Sequence, residues 1–462
     1  MKAVKGKYYF GGIHPKGMKA LSESAALEVL PEPELVAIST SQSIGKPAIP
    51  AVKVGQAVKE GEVIANADGA ISSNVFASIS GTVKEIKDID GEQYIVIQAD
   101  GQNQKSWLPP LTEPDAESIK ARIKDAGIVG LGGAGFPTAV KVSPSSPVDT
   151  LIVNGAECEP YLTCDHRLMI EKTEEIAKGA RYIAKALGVK KIVIGIESNK
   201  PDAIKAFEAF DDIQPVILRK QYPMGGEKQL IYVTTGRKVG LGKLPMDCGV
   251  VVQNVGTCYA VCEAVELGKP LYARAVTVSG KAVATPKNLW VKVGTSVQAI
   301  VDYCGGESEA PKKAVLGGPM TGNALASLES YTHKTTSGVL LLSKKEAAAY
   351  EPTPCVNCGK CADVCPMHLM PMNTAFYSES GDFEAAEKYG NALACIECGA
   401  CEYICPAKRP LIQAIRKTKA GLKKPAPKKE VIEDVAGKPV EKIDGKPAKE
   451  AVAESLKEEN NG

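Results

Sequence analysis

Eight of the chain's 14 cysteines fall into two copies of one spacing. Cys355, Cys358, Cys361 and Cys365 precede Pro366, and Cys395, Cys398, Cys401 and Cys405 precede Pro406. Each copy is a C-x2-C-x2-C-x3-C-P run. Thiolates are soft ligands, and such short intervals wrap a chain around one corner of a cubane iron–sulfur cluster. C-x2-C pairs also hold zinc, but zinc sites rarely use four close cysteines followed by proline, still less twice. The other six, Cys158, Cys164, Cys248, Cys258, Cys262 and Cys304, share no such spacing. Cys258 and Cys262 stand one helical turn apart, which suits packing better than ligation.

The tandem runs resemble those of two-cluster ferredoxins, in which the fourth cysteine of each run ligates the other cluster. That resemblance implies one [4Fe-4S] centre on Cys355, Cys358, Cys361 and Cys405, and a second on Cys395, Cys398, Cys401 and Cys365. Two neighbouring one-electron centres conduct, so something else must load them. The loop GLGGAGFPT, residues 130–138, has four glycines within six positions. Bare backbone there can approach a ligand and turn N–H groups toward a phosphate. It is neither the G-x-G-x-x-G fingerprint nor a P-loop, and alone it leaves a phosphate site and an ordinary glycine turn equally open.

Three further phrases follow in order: IVNGAECEP (152–160), YPMGGEKQL (222–230) and QNVGT (253–257). With GLGGAGFPTAVK (130–141), they resemble the FMN and NADH site of the flavoprotein subunit of respiratory complex I. The phrase GGPMTG (317–322) also falls where it does in that family. The resemblance implies that FMN is held by the backbone at Gly132, Gly133, Gly135 and Gly225 and by the Lys141 ammonium. Asn154, Glu157, Tyr222, Asn254 and Thr257 would complete the pocket. Phe136 would stack on the nicotinamide or adenine ring, and Glu159 would position NADH by accepting hydrogen bonds. None of these is expected to act as a general acid or base, because hydride passes directly and the protein supplies orientation and electrostatics. Glu157 and Glu159 also fit an acid/base pair for hydrolysis, but nothing else in the chain supports a hydrolase. The sequence departs from the family's pattern at Leu131, Ala156 and Gly226, where arginine, aspartate and glutamate are common.

These residues need scaffolds. A length of 462 residues predicts about three or four domains. Hydrophobic content of 44% and charged content of 24% are ordinary for globular proteins. Lys plus Arg (56) nearly balances Asp plus Glu (54), which argues against nucleic acid as a partner. No apolar run approaches the roughly 18 residues that span a bilayer, so no transmembrane segment is expected. Residues 1–10 lack the apolar core of a secretory signal. The expected setting is a reducing cytosol, where cysteines serve as metal ligands more often than as disulfides.

The expected fold is multidomain α/β. Residues 1–110 read as a barrel-sandwich domain, its short strands cut by Gly55, Gly61, Gly69 and Gly81. VKVGQAVKEGEVIA and ASISGTVKEI resemble the barrel-sandwich of lipoyl and biotinyl carriers. The stretch matching the carriers' hairpin tip, ADGAISSN (67–74), has no lysine, so a structural role is expected. Residues 111–268 alternate helix and strand as an FMN/NADH-binding α/β domain with parallel strands. Residues 269–345 read as a β-grasp domain, 346–420 as a two-[4Fe-4S] ferredoxin-like domain, and 421–462 as a disordered tail rich in Lys, Pro, Ala and Glu.

Taken together, the chain to about residue 420 resembles the C subunits of the Rnf complexes, membrane-bound ferredoxin:NAD oxidoreductases. The resemblance implies a peripheral subunit on the cytoplasmic face of the cell membrane, partnered by membrane and ferredoxin-like subunits. It would exchange hydride between NAD(H) and FMN and pass single electrons through two clusters, with ion transport coupled elsewhere in the complex. A cobalamin reductase-type flavoprotein shares these modules, but its sandwich is expected after the cluster runs. A non-catalytic electron relay is the other alternative.

Overall fold

Near-continuous apolar runs such as LIV (151–153), IVIGI (192–196) and VVV (250–252) leave no solvent face, so they demand cover on both sides. The computed structural model describes residues 1–347 and 350–423, and the backbone of 430–433, 439–443 and 446–447. In it these runs form a five-stranded parallel sheet. The order is Val4–Lys5, Ile213–Leu218, Lys191–Glu197, Thr150–Gly155, Val250–Asn254. Leu151, Val153, Ile192 and Ile194 face helices Ala116–Asp125, Thr173–Leu187 and Val255–Glu266, while Ile152, Val193, Val250 and Val252 face helix Glu227–Thr235. Cys258 and Cys262 are buried, as their packing role requires.

Strand order reverses beside Thr150–Gly155. The chain first moves outward to Lys191–Glu197 on one side and later returns to Val250–Asn254 on the other. Such a switch point opens a crevice beyond the carboxyl ends of the two strands.

The sandwich forms as expected, with a four-stranded antiparallel sheet facing a three-stranded one around Val36, Ile38, Ile64, Ile79, Ile95 and Ile97. Its paired strands run from Leu35 to Ala99. Residues ahead of them serve other sheets: Val4–Lys5 edges the parallel sheet, and Leu27–Val29 pairs with Lys287–Lys292 of the next one. That next sheet is mixed and six-stranded and packs the helix Val297–Tyr303, consistent with the β-grasp expectation.

The cluster runs repeat at a spacing of forty residues, and so does their backbone. Asn357 and Glu397 (φ 52° and 55°), Gly359 and Gly399 (75° and 77°), and His368 and Lys408 (54° and 53°) are left-handed in matched pairs. The third cysteine of each run lies in a short helix, Lys360–Asp363 or Ala400–Ile404, and these two helices pack together. Residues 369–395 and 410–423 belong to a separate compact unit, in which helices Pro371–Glu379, Phe383–Gly390 and Leu411–Lys423 pack on one another. The tail expected from 421 lies largely outside the described residues. Within it the last helix ends at Lys423, and the backbone of Glu430–Glu433, Pro439–Ile443 and Lys446–Pro447 pairs antiparallel. Among the described residues no helix is long and apolar enough to cross a membrane.

Lys334 joins the sandwich to the α/β domain. Its ammonium is fully buried and donates to the carbonyls of Asn74 (2.7 Å) and Gly127 (2.8 Å) and to Ser73 Oγ (3.3 Å). Ser73 Oγ also reaches the Gly127 carbonyl, at 3.0 Å. The hairpin tip is thus docked. These partners are carbonyl and hydroxyl oxygens, and burial pushes the ammonium pKa down to about 7. In unfolded chain it is about 10.4, so between those values the unfolded state binds more protons. This group's contribution to stability therefore rises with pH from about 7 to about 10, by roughly 1.4 kcal/mol per pH unit. Denaturant unfolding at pH 7 and pH 9 is expected to show this gain in the native protein and not in Lys334→Met. A stability difference between the two proteins that stays constant over that range would contradict it.

Candidate functional site

Two asparagines lie at the carboxyl ends of the strands that flank the switch point, Asn154 one residue before the end of its strand and Asn254 last in its own, and they are register partners. Asparagine suits a strand-to-helix junction because its side chain can accept the first free helical N–H groups. Asn254 caps helix Val255–Glu266, its Oδ1 accepting from Gly256 N–H at 2.8 Å, while its Nδ2 donates to Asp165 Oδ2 at 2.7 Å. Asn154 Nδ2 donates to the Gly225 carbonyl at 3.0 Å, and its Oδ1 accepts from Ala156 N–H at 3.1 Å. Each side chain ties a strand end to a neighbouring loop of the crevice.

The Gly-rich loop closes on itself. Gly130 N–H donates to the Phe136 carbonyl at 2.9 Å, Gly135 N–H donates to the Gly130 carbonyl at 3.2 Å, and Val129 bridges Pro137. Thr257, in the first turn of the capped helix, accepts from Leu131 N–H at 3.0 Å. Leu131 is buried in the core, so the position of the family's common arginine is spent on packing. Gly132, Gly133 and Ala134 are exposed. Gly133 has φ +117°, and a Cβ added there would meet nothing within 4 Å. Open left-handed backbone therefore lies beside a helix N-terminus, the combination that binds phosphate through N–H groups and the helix dipole. Gln253 Nε2, in strand Val250–Asn254, is buried without a partner among the described residues. These groups fit an FMN phosphate and its polar edge. Lys141 Nζ donates to Glu227 Oε1 at 2.7 Å and to the Val252 carbonyl at 3.2 Å, so its charge at the crevice is shared with Glu227.

Carboxylates line the other wall. Glu157 is buried. Its Oε1 accepts from Asp165 N–H at 2.8 Å, and its Oε2 stands 3.7 Å from Lys19 Nζ. Burial, followed by the Glu157 charge, pushes the Asp165 carboxyl up to about 6. Lys19 donates to the Glu159 and Leu162 carbonyls, and burial lowers its pKa. Glu159 holds the 317–322 loop: its Oε2 accepts from Met320 N–H at 3.0 Å and its Oε1 from the Thr321 hydroxyl. A Cβ on Gly318 would fall 2.3 Å from Glu159 Oε2, so a larger residue there would displace the carboxylate from the loop. Burial lifts the Glu159 carboxyl above the usual carboxylate range.

Tyr222 meets the second cysteine run. Its hydroxyl donates to the Cys398 carbonyl at 2.7 Å, and its ring packs with Ile13 and Ala400 beside Cys158 and Cys398. Gly225, in the same phrase, donates its N–H to Cys158 Sγ at 3.4 Å. The end of the first run is also seated here. Gly12 N–H donates to the Val364 carbonyl at 2.7 Å, Gln229 Nε2 donates to the Pro366 carbonyl at 3.2 Å, and a Cβ on Gly11 would lie 2.8 Å from the Cys365 carbonyl. Cys361, Cys365 and Cys401 are buried; Cys395, Cys398 and Cys405 are half-buried; Cys355 and Cys358 are exposed. Among the described residues no three His, Cys, Asp or Glu side chains form a mononuclear metal site. Sequence reasoning missed Lys19 and Asp165, which enter through long-range packing and carry no local signal. It also set aside Cys158, which lies inside the second motif.

Family models match four segments in the expected order. They are an RnfC barrel sandwich hybrid domain over residues 7–102, a Nuo51 FMN-binding domain over 123–263, an SLBB domain over 275–324 and a 4Fe-4S dicluster domain over 354–409. The C subunit of the proton-translocating ferredoxin:NAD(+) oxidoreductase complex of Clostridium ljungdahlii is 44% identical over 430 residues, covering 90% of this chain and 94% of that one. The C subunit of the Na(+)-translocating ferredoxin:NAD(+) oxidoreductase complex of Acetobacterium woodii is 43% identical over 431 residues, with 90% and 97% covered. The C subunit of the ion-translocating oxidoreductase complex of Rhodobacter capsulatus is 42% identical over 399 residues, with 82% and 76% covered. With the glycine loop, the switch-point crevice and the duplicated cysteine turns in one chain, these likenesses place it in the family of the C subunits of ion-translocating ferredoxin:NAD(+) oxidoreductase complexes.

Proposed function

We propose that this subunit handles NADH at the switch-point crevice, on the cytoplasmic face of the membrane complex, and exchanges electrons with its partner subunits through two [4Fe-4S] clusters. The observation that carries the reading is the open Gly132–Ala134 backbone laid against the capped N-terminus of helix Val255–Glu266. When bound, FMN supplies the conversion between a two-electron hydride and single electrons, and the clusters carry the single electrons.

The chain's own residues hold and orient. Amides of the Gly-rich loop and the first turn of the helix balance phosphate charge, with Lys141 and Glu227 beside them. Asn154 and Asn254 lock the strand ends, and Glu157 and Asp165 set the negative charge of the opposite wall. Phe136, half-buried at the loop's end, offers a ring face to the nicotinamide nucleotide. Glu159 stands in the second motif, and each of its oxygens, already accepting one bond from the 317–322 loop, keeps a lone pair for a donor on NADH.

The seating of the cysteine turns also supports an order for the two clusters. Gly11 meets the Cys365 carbonyl, Gln229 bonds the adjacent Pro366 and Tyr222 bonds the Cys398 carbonyl, whereas Cys355 and Cys358 are exposed. In this reading the cluster expected to take Cys365 with Cys395, Cys398 and Cys401 faces the flavin loops. The one taking Cys355, Cys358, Cys361 and Cys405 faces outward, toward a protein partner.

Three substitutions test these assignments. Asn254→Ala removes the cap worth about 1 kcal/mol together with the tie to Asp165, and FMN content of the purified protein is expected to fall several-fold with iron content unchanged. Full FMN occupancy would move the flavin elsewhere. Glu159→Ala is expected to raise the KM for NADH by roughly tenfold, from the loss of one hydrogen bond to a charged group, with iron and FMN retained. An unchanged KM would leave Glu159 only its bonds to the 317–322 loop. Cys361→Ala should remove one of two clusters by EPR spin count while NADH still reduces the flavin. Two intact clusters would refute the ligand pairing.

A further inference from the structure

We infer that the N-terminal sandwich completes the nucleotide site, with Ile44 as a binding residue for the planar base of the nicotinamide dinucleotide. The inference rests on the reading above, in which NADH lies at the Gly-rich loop, and extends it to a domain otherwise assigned only a structural role.

The loop at residues 40–47 of the sandwich meets the Gly-rich loop directly. Ile44 N–H donates to the Gly135 carbonyl at 3.1 Å. Gly135, at φ +63°, is enclosed: a Cβ there would come 2.7 Å from Thr335 Cγ2 and would have Ser43 Cα at 3.7 Å. The next residue along is Phe136. The sandwich therefore forms one border of the backbone that presents the Phe136 ring.

That border is stiff. Gly45 packs so tightly on the hairpin tip that a Cβ would lie 2.0 Å from the Ile71 carbonyl. Lys46 N–H donates to that carbonyl at 3.0 Å, and Ser72 Oγ donates to the Lys46 carbonyl at 2.9 Å. Gln42 is buried, accepting from Lys334 N–H at 2.8 Å through Oε1 and donating to the Ser39 carbonyl at 3.1 Å through Nε2. A loop fixed at both ends loses little entropy when a ligand settles on it.

Lys46 of this loop is exposed and charged, yet two apolar side chains beside it also reach solvent. Ile44 is 50% exposed and Ile71, against which Gly45 packs, is 42% exposed. A single exposed isoleucine needs no explanation. Two side by side, one on a rigid loop hydrogen-bonded to the cofactor-binding backbone and one on the hairpin tip packed against it, make a ledge. A flat aromatic base, apolar on its faces and polar at its edges, fits between such a ledge and an aromatic ring.

The test uses the reconstituted holoprotein and measures NADH affinity by equilibrium titration, alongside KM, kcat and FMN content. Ile44→Ala is expected to weaken NADH binding roughly threefold to tenfold through lost apolar contact. FMN content and kcat should stay unchanged, and Ile44→Leu should restore the affinity. Equal NADH affinity in the native protein and Ile44→Ala overturns the ledge while leaving the proposed function standing. A fall in FMN content or kcat of similar size overturns it too, since Ile44 would then support the flavin loop instead. If the native holoprotein binds no NADH, the functional reading fails and this inference fails with it.

Discussion

The constraint on which the rest depends is the divergence of two parallel strands, Thr150–Gly155 and Val250–Asn254, whose following segments leave the sheet in different directions. A parallel sheet leaves the carboxyl ends of its strands open, and a reversal of strand order keeps one gap between them uncovered. Everything that fits a flavin nucleotide gathers at that gap. Asn154 and Asn254 secure its two sides, the Gly-rich loop lies on the helix that follows Asn254, and the helix led by Glu227 brings in the partner of Lys141. Cover on both faces of the sheet makes the gap rigid, and rigidity lets backbone N–H groups act as a preformed phosphate site.

A second convergence lies where the cysteine turns are seated. Tyr222, Cys158, Met320 and the N-terminal segment around Ile13 come together beside Cys398. They derive from the α/β domain, the β-grasp sheet and the residues ahead of the sandwich. Electron transfer between centres needs short, fixed separations more than it needs reactive side chains. Interlocking several domains around one turn is a physical means of fixing them. Glu159 takes part at one remove, through Met320 and Thr321, so this carboxylate is also tied to the packing around Cys398.

Much of the chemistry was legible in the sequence because it needs fixed local spacing. A cluster corner demands cysteines at set intervals, and a phosphate loop demands glycines. The parallel sheet was legible too, since strands covered on both faces read as unbroken apolar runs. What sequence could not show depends on contacts between distant residues. Val4–Lys5 and Leu27–Val29 are too short to carry a periodic signal, yet they edge two different sheets outside the sandwich to which a linear division assigns them. Lys19 and Asp165 enter the crevice only after folding. Lys334 looks like any surface lysine until its ammonium is found buried among three oxygens at a domain junction. The direction in which Tyr222 points, toward a cysteine turn, was equally hidden, because its motif fixes its place on the loop and not its partner.

The central claim is that one chain unites an NADH-reducible flavin site with two iron–sulfur clusters. It is tested most directly by purifying the chain anaerobically with iron and FMN supplied, then recording iron content, flavin content and the visible spectrum before and after adding NADH. The account predicts about eight irons, for two four-iron clusters, and one FMN per chain, with bleaching of the flavin and cluster absorbance by NADH. Eight irons without flavin, or with a flavin that NADH leaves oxidised, would contradict it and reduce the switch-point crevice to a feature of the fold.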